Sequence, residues 1–353
     1  MIGSLFFNVI ALFFALKTRL NKSFNGLLYS VICIFIFLAI RYDFGNDYMP
    51  YFMNFYEINE YDYYSIKGNE IGWIYLNYIF EPFGFIGMQI FLAGFSCYIL
   101  YRFIKKYVSK NYYWLSIFLY TFNPYHLLVF SSAMRQSISI SLFLLAIDYL
   151  IQKKPIHYIA IILLASLFHT TALFLLPIII LSYVKNKPTK GFTIIISIIS
   201  FLLFYFKDNI FNLTSELVYL YFADEYSNHL NIDISNITIG FGFLLTCILY
   251  IILFYLLRKT KVHWEILIIN MVALSFLVLI LGLTIPLVSR INFYFTPLLI
   301  VAYPIAIKNI EVKLIKHLFV VLILTSTIYQ YFYFFHSSTW SKNFYDYKTI
   351  FSI

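Results

Sequence analysis

Three arginines in this chain stand directly against apolar runs: Arg41 in LAIRYDFG, Arg135 in SSAMRQSISISLF and Arg290 in IPLVSRINFYF. A guanidinium near hydrocarbon costs about 2.5 to 3.5 kcal/mol at mid-helix and less toward the ends, so three such positions call for a reason. The group is always charged and grips phosphate oxygens through paired N–H donors. One shared anionic ligand, such as a diphosphate, accounts for all three; the competing account is that each arginine snorkels to headgroups or pairs with a nearby aspartate. His169, in ILLASLFHTTALF, sits where an apolar helix meets an expected turn. Its imidazole suits a proton acceptor, the alternative being a packing or hairpin residue. Asp43 and Asp47 in RYDFGNDYMPYF are further acceptor candidates, although Gly45 between them favours a turn over a shared helix face. Glu70 opens the apolar stretch EIGWIYLNYIF and reads as a helix cap at the dipole-favoured end. The D-x-x-x-D spacing lacks a third fixed ligand and is weak as a metal site, so neither metal nor cofactor is expected.

These residues have to be positioned by membrane helices. Of 353 residues, 62% are hydrophobic and only 12% charged, with a mean hydropathy of +0.82. A soluble domain carries about 25% charged residues. Several charge-free runs approach the ~20 residues that cross a ~30 Å hydrocarbon layer. The passes are expected at 3–16, 24–40, 85–104, 111–130, 133–151, 156–168, 170–184, 191–206, 237–257, 264–283, 291–307 and 314–334. The fold class is therefore an all-α polytopic membrane protein of about 10–12 helices, forming one domain over 1–353. The net charge of +9 does not point to nucleic acid, because the basic residues lie in short loops between apolar runs. Cys33, Cys97 and Cys247 fall inside apolar segments without metal-ligand spacing and read as packing residues. The first apolar run is followed, not preceded, by Lys17 and Arg19, the reverse of a cleaved signal peptide, and reads as a retained helix.

The positive-inside rule orients the chain with its N-terminus outside, leaving only Arg41, Lys67, Arg135, Lys207, Arg290, Lys342 and Lys348 on the outer face. That assignment needs 156–184 to be a hairpin turning near His169; one long helix would invert the charge bias downstream. Two larger outer loops, 41–84 and 207–236, carry EIGWIYLNYIF and SELVYLYFADEYSNHL, both expected as interfacial helices. The aromatic residues of 48–64 suit stacking on the apolar faces of sugar rings.

RYDFGNDYMPYFMNFYE resembles the R-x-x-x-G-x-D-x-x-x-Y signature of the EpsG family of bacterial polysaccharide polymerases, often described as Wzy-like, with Arg41, Gly45, Asp47 and Tyr51 on its positions. The block from MRQSISIS to LFHTTALF is similar to the family's central block and carries Arg135, Gln136 and His169. SRINFYF, with Arg290 and Tyr294, resembles its late arginine–tyrosine element, and NFYDYKTIF is a looser likeness. Ser137, Ser139 and Ser141 stand where family members often have alanine.

The resemblance implies glycosyl transfer on the outer leaflet of the bacterial cytoplasmic membrane. An undecaprenyl-diphosphate-linked oligosaccharide donor passes its chain to a lipid-linked acceptor, for O-antigen, capsule or exopolysaccharide. Arg41, Arg135 and Arg290 would hold the diphosphate, Gly45 would permit the turn, and Asp47 would orient the sugar or Arg41. His169, Asp43 and Asp47 are the base candidates. Membrane lipids, a chain-length regulator and a flippase are the implied partners. Competing readings are an O-antigen ligase-like transferase with another acceptor, a flippase or transporter of lipid-linked sugars, and a multipass acyltransferase. A transporter wants charges along a path through the bilayer, where Asp148 alone departs from the two faces; an acyltransferase wants its groups open to the cytoplasm.

Overall fold

A computed structural model of the chain describes residues 1–60, 70–184, 240–257, 262–282, 286–337 and 340–351, together with 194–195, 198–199, 202–203, 205–206, 209 and 260. Helices account for nearly all of the described secondary structure. Among the described residues, six stretches are long and apolar enough to cross a membrane: Ile2–Leu20, Ile71–Tyr107, Met134–Ile151, His263–Leu281, Val288–Lys308 and Lys313–His336. Four shorter apolar helices join them, at Gly26–Ala39, Pro155–Ser166, Thr170–Tyr183 and Phe241–Leu257. The protein is an all-α, multi-pass membrane protein. Nearly all of the expected second loop, 207–236, and part of the expected pass at 191–206 lie outside the described residues. The chain divides into two compact units, Met1–Ile179 with Thr327–Ile353, and Ile180–Ser326.

The first unit contains α1 (Ile2–Leu20), α2 (Gly26–Ala39), α3 (Tyr48–Glu60), α4 (Ile71–Phe80), α5 (Gly84–Tyr107), α6 (Tyr113–Phe122), α7 (Pro124–Ser132), α8 (Met134–Ile151) and α9 (Pro155–Ser166). Helices surrounded by lipid gain little from apolar burial, so polar side chains reaching across helix pairs specify the packing. Ser30 of α2 donates to the Ala11 carbonyl of α1 at 2.6 Å, and Asn8 of α1 to the Thr121 carbonyl of α6 at 2.8 Å. The expected pass 111–130 is broken in two. At the break Asn123 caps α7 by accepting from the Tyr125 amide at 3.1 Å, and Pro124, lacking an N–H, occupies the first helical position.

Helix α8 runs beside α5 and then turns back through 152–154 into α9. Ser141 donates to Ser96 at 3.3 Å, and one to two turns later Asp148 meets Arg102, so α5 and α8 are parallel. Asp148, 5% exposed, lies near the C-terminus of α8, where the helix dipole disfavours an anion. Three donors from α5 offset this: Arg102 at 2.7 Å, Lys106 at 2.8 Å and the Tyr107 hydroxyl.

The chain reverses after α9. Tyr158 in α9 donates to the Leu175 carbonyl at 2.6 Å, and a continuous helix would separate positions 17 apart in sequence by about 25 Å. The returning leg is a 3-10 stretch, Thr170–Tyr183, with Pro177 inside it. His169 therefore sits in a hairpin turn.

The second unit holds α10 (Phe241–Leu257), α11 (His263–Leu281), α12 (Pro286–Phe295) and α13 (Leu299–Lys308). A buried chain of hydroxyls and an amide joins three of them: Tyr250 with Ser275 at 2.9 Å, and Ser275 donating to Asn292 Oδ1 at 2.8 Å. Helix α14 (Lys313–His336) begins in this unit, and from Thr327 onward belongs to the first. There Tyr331 bonds Ser4 of α1 at 2.8 Å. After α15 (Ser341–Phe344), the C-terminal segment pairs in a two-residue ladder, Arg41 opposite Thr349 and Tyr42 opposite Lys348.

Candidate active site

RYDFGNDYMPYF begins where α2 ends, and its Arg41, Gly45, Asp47 and Tyr51 meet one short segment, 131–135, at the junction of α7 and α8. Arg41 is 4% exposed. Its guanidinium donates to the carbonyls of Leu38 and of Ser131, the latter at 2.8 Å. Both carbonyls lie in final helical turns, of α2 and α7, which leave such groups without intrahelical partners. One cation thus closes two helix C-termini, as the dipoles favour. Burial pulls its pKa down to about 10, Tyr48 and Tyr347 opposing, so it stays charged at neutral pH. A cavity of about 30 Å³ beside it, with Ser96, Tyr120, Ser131 and Ser137 in its wall, has room for no more than a water or two and is far too small for a diphosphate.

Gly45 has φ +117°, a conformation open to glycine and strained for other residues, and a Cβ there would lie 3.0 Å from Ser132 Cβ. Asp47 is fastened to the same serine, its amide donating to Ser132 Oγ at 2.9 Å and its Oδ2 lying 3.3 Å from that oxygen. Tyr51 finishes the series: its hydroxyl accepts from Arg135 Nε at 3.4 Å and its ring lies 5.6 Å beneath the Arg135 guanidinium. Tyr51 in turn packs on Trp73 of α4, ring centres 5.0 Å apart.

Arg135, second residue of α8, and His169, in the hairpin turn, meet at Glu70, which the sequence suggested chiefly as a cap. Glu70 occupies the N-cap position of α4, yet its side chain makes no capping hydrogen bond. Oε2 forms an ion pair with Arg135, and Oε1 lies 3.2 Å from His169 Nδ1. Burial pushes the Glu70 carboxyl up, but the bond from His169 and the Arg135 charge outweigh it and hold the group below the usual carboxylate range. The α4 start is pinned to the hairpin by Gly72, whose amide donates to the Leu167 carbonyl at 2.8 Å. His169 Nε2 is buried and meets no hydrogen-bond partner among the described residues. Four segments thus bring a guanidinium, a carboxylate, a phenol and an imidazole with one uncommitted nitrogen into one cluster.

The sequence profile of the EpsG family matches residues 4–349. The chain belongs to the EpsG family. The match includes all three arginines, His169 and the cluster around Glu70. No curated protein and no solved structure matches the chain. Membership of the EpsG family implies, in general terms, a polymerase of polysaccharide biosynthesis.

Asp43, Gln136, Arg290 and Tyr294 were also singled out in this EpsG-family sequence. Asp43, at φ 46°, pairs through Oδ2 with exposed Lys348 at 2.8 Å, beside the two-residue ladder. Gln136 is buried on α8. Arg290 is exposed on α12 of the second unit, while Tyr294 one turn on is fully buried. No group of three His, Cys, Asp or Glu residues that could hold a metal ion occurs among the described residues. Glu70 is the member that sequence reasoning missed. The available signal was an acid beginning an apolar helix in the same loop as Arg41, and that pattern serves capping equally well.

Proposed function

We propose that this EpsG-family protein polymerises undecaprenyl-diphosphate-linked oligosaccharide repeat units on the outer leaflet of the bacterial cytoplasmic membrane. The observation that carries the reading is the uncommitted, buried Nε2 of His169 in one cluster with Arg135. In the proposed step an acceptor sugar hydroxyl gives its proton to His169 Nε2, and its oxygen bonds to the anomeric carbon of the donor chain. The bond from that carbon to the phosphate oxygen breaks, and the lipid diphosphate leaves with its electron pair. Arg135 meets the developing negative charge from a half-buried position, where an ionic contact is stronger than in water.

The same proposal changes the part of Arg41. Its burial and its two carbonyl partners favour a brace that presents Asp47 and Tyr51, in place of a direct grip on phosphate. Asp43 and Asp47 are weaker base candidates than His169, because each already engages a partner, Lys348 or Ser132. Transport loses its one supporting residue, since Asp148 is bound by three donors at a helix end.

Deleting the gene in its native host and examining lipid-linked and surface polysaccharide tests the reading. Single repeat units in place of long chains are expected. Undiminished long chains would rule the polymerase out, and absence of lipid-linked units from the outer leaflet would make the protein a transporter.

A further inference from the structure

Glu70 is surrounded by groups that donate. Arg135 offers N–H hydrogens and never accepts. His169 presents Nδ1 to the other oxygen at 3.2 Å. A side chain that accepts on both sides at once must have two acceptor atoms, and only a carboxylate has them. Glutamine would turn its NH₂ toward Arg135, donor against donor, or toward Nδ1, which would then have to accept. The second choice moves the imidazole proton to Nε2 and leaves that nitrogen unable to take another from a hydroxyl.

We infer that Glu70 is the positioning residue of this site: it fixes the proton of neutral His169 on Nδ1 and so keeps Nε2 as the acceptor. This deepens, and rests on, the glycosyl-transfer reading above. Gly72 sets the separation on which the pairing depends. A Cβ there would lie 2.7 Å from the Leu167 carbonyl oxygen, two residues before His169. Any side chain at 72 would push the α4 start, with Glu70, away from the turn. The segment that bears Glu70 and the turn that bears His169 are thus locked backbone to backbone, which a cap alone would not need. The second oxygen of Glu70 holds Arg135 against the Tyr51 ring, so the charge that meets the leaving group and the base that takes the proton are indexed to one carboxylate.

Full-length protein in lipid nanodiscs serves for two measurements. The first is turnover, using as donor and acceptor the undecaprenyl-diphosphate-linked repeat units extracted from the deletion strain. The second is ¹⁵N NMR of labelled histidine at a pH where it is neutral, with His169 assigned by difference against His169→Gln. Wild type should show a single Nδ1–H tautomer at His169. Glu70→Gln and Glu70→Ala should lose it and lose kcat by on the order of a hundredfold or more, with KM changed less than about threefold. Glu70→Asp should restore the tautomer and part of the rate, and Gly72→Ala should behave as a milder Glu70→Ala. Glu70→Gln turning over within about threefold of wild type would overturn the inference, as would a tautomer unchanged in Glu70→Ala. If wild type transfers nothing between lipid-linked units, the functional reading falls; the NMR arm then decides the pairing by itself, a mixed tautomer in wild type overturning it.

Discussion

Helix α8 carries an ionic cluster at each end, and the two are built on opposite plans. At the Asp148 end a single buried carboxylate accepts from Arg102, Lys106 and Tyr107, all within the last two turns of α5. One helix pair makes the whole cluster, and the two cations are each 43% exposed, turned toward solvent. At the Arg135 end the groups come from α3, from the start of α4, from α8 and from the hairpin turn, and one buried nitrogen meets no partner among the described residues. Gathering four segments around incomplete hydrogen bonding is unfavourable for stability, since a buried polar atom without a partner costs about 1–3 kcal/mol. A fold tolerates that where the arrangement serves a reaction. The closed cluster fastens two helices; the open one is where we propose that substrate binds.

The largest expected effect separates the two ends directly. His169→Ala and Arg135→Ala should each lower the rate of chain extension by about a hundredfold or more at normal protein level, since in the proposed step both act on charge that develops in the transition state. Arg135→Lys should recover a part, keeping the charge but not the planar fork. Asp148→Asn should keep its rate per folded molecule within about threefold. An Asp148→Asn protein as inactive as His169→Ala would break the comparison.

Next in size is stability at the closed end. Asp148→Ala leaves two cations and a phenol without their acceptor. Because the cations can swing to water, a loss of about 1–3 kcal/mol is expected, read as a lower melting temperature and lower membrane abundance. An unchanged melting temperature would show that the cluster fastens nothing.

Arg41 sharpens the comparison from the side of the clasp. Replacing it by lysine keeps one charge but cannot reach both the Leu38 and Ser131 carbonyls. A destabilisation of about 1–2 kcal/mol is expected, with activity per folded molecule only modestly reduced. A stable Arg41→Lys protein without activity would make Arg41 a ligand of the diphosphate after all.

Smaller still is a pH effect. Glu70 is held below its ordinary value because the His169 bond and the Arg135 charge outweigh the burial that raises it. Its contribution to stability is therefore complete above the unfolded carboxyl value of about 4.3 and disappears as pH falls through the lower folded value. The melting-temperature gap between wild type and Glu70→Gln should narrow across that acid window; a gap that widens on acidification contradicts the assignment. The smallest effect belongs to the exposed Asp43–Lys348 pair, where Lys348→Ala should change neither melting temperature nor chain length.

Composition and charge-free run length were enough to determine that this chain is built of membrane helices, because in a bilayer only helices and closed barrels satisfy the backbone and unbroken apolar runs of this length lack the alternation of barrel strands. Two short-range signals were also legible, Gly45 for a turn and the hairpin at His169, which the charge bias favoured and the Tyr158 bond to Leu175 realises; the break at Asn123–Pro124 inside the expected pass 111–130 was not read. What the sequence left open was how the charged residues partition. Arg41 and Arg135 look alike as arginines against apolar runs, yet one braces two helix ends in the interior and the other faces Glu70 and a tyrosine ring. Glu70 itself read as a cap, since an acid before an apolar helix looks the same whether its carboxylate turns to its own amides or to a distant arginine and histidine. The decision rests on contacts between residues 65 and 99 positions apart. Such contacts are settled by how helices pack, where spacing along the chain carries no information, and only the tertiary structure decided them.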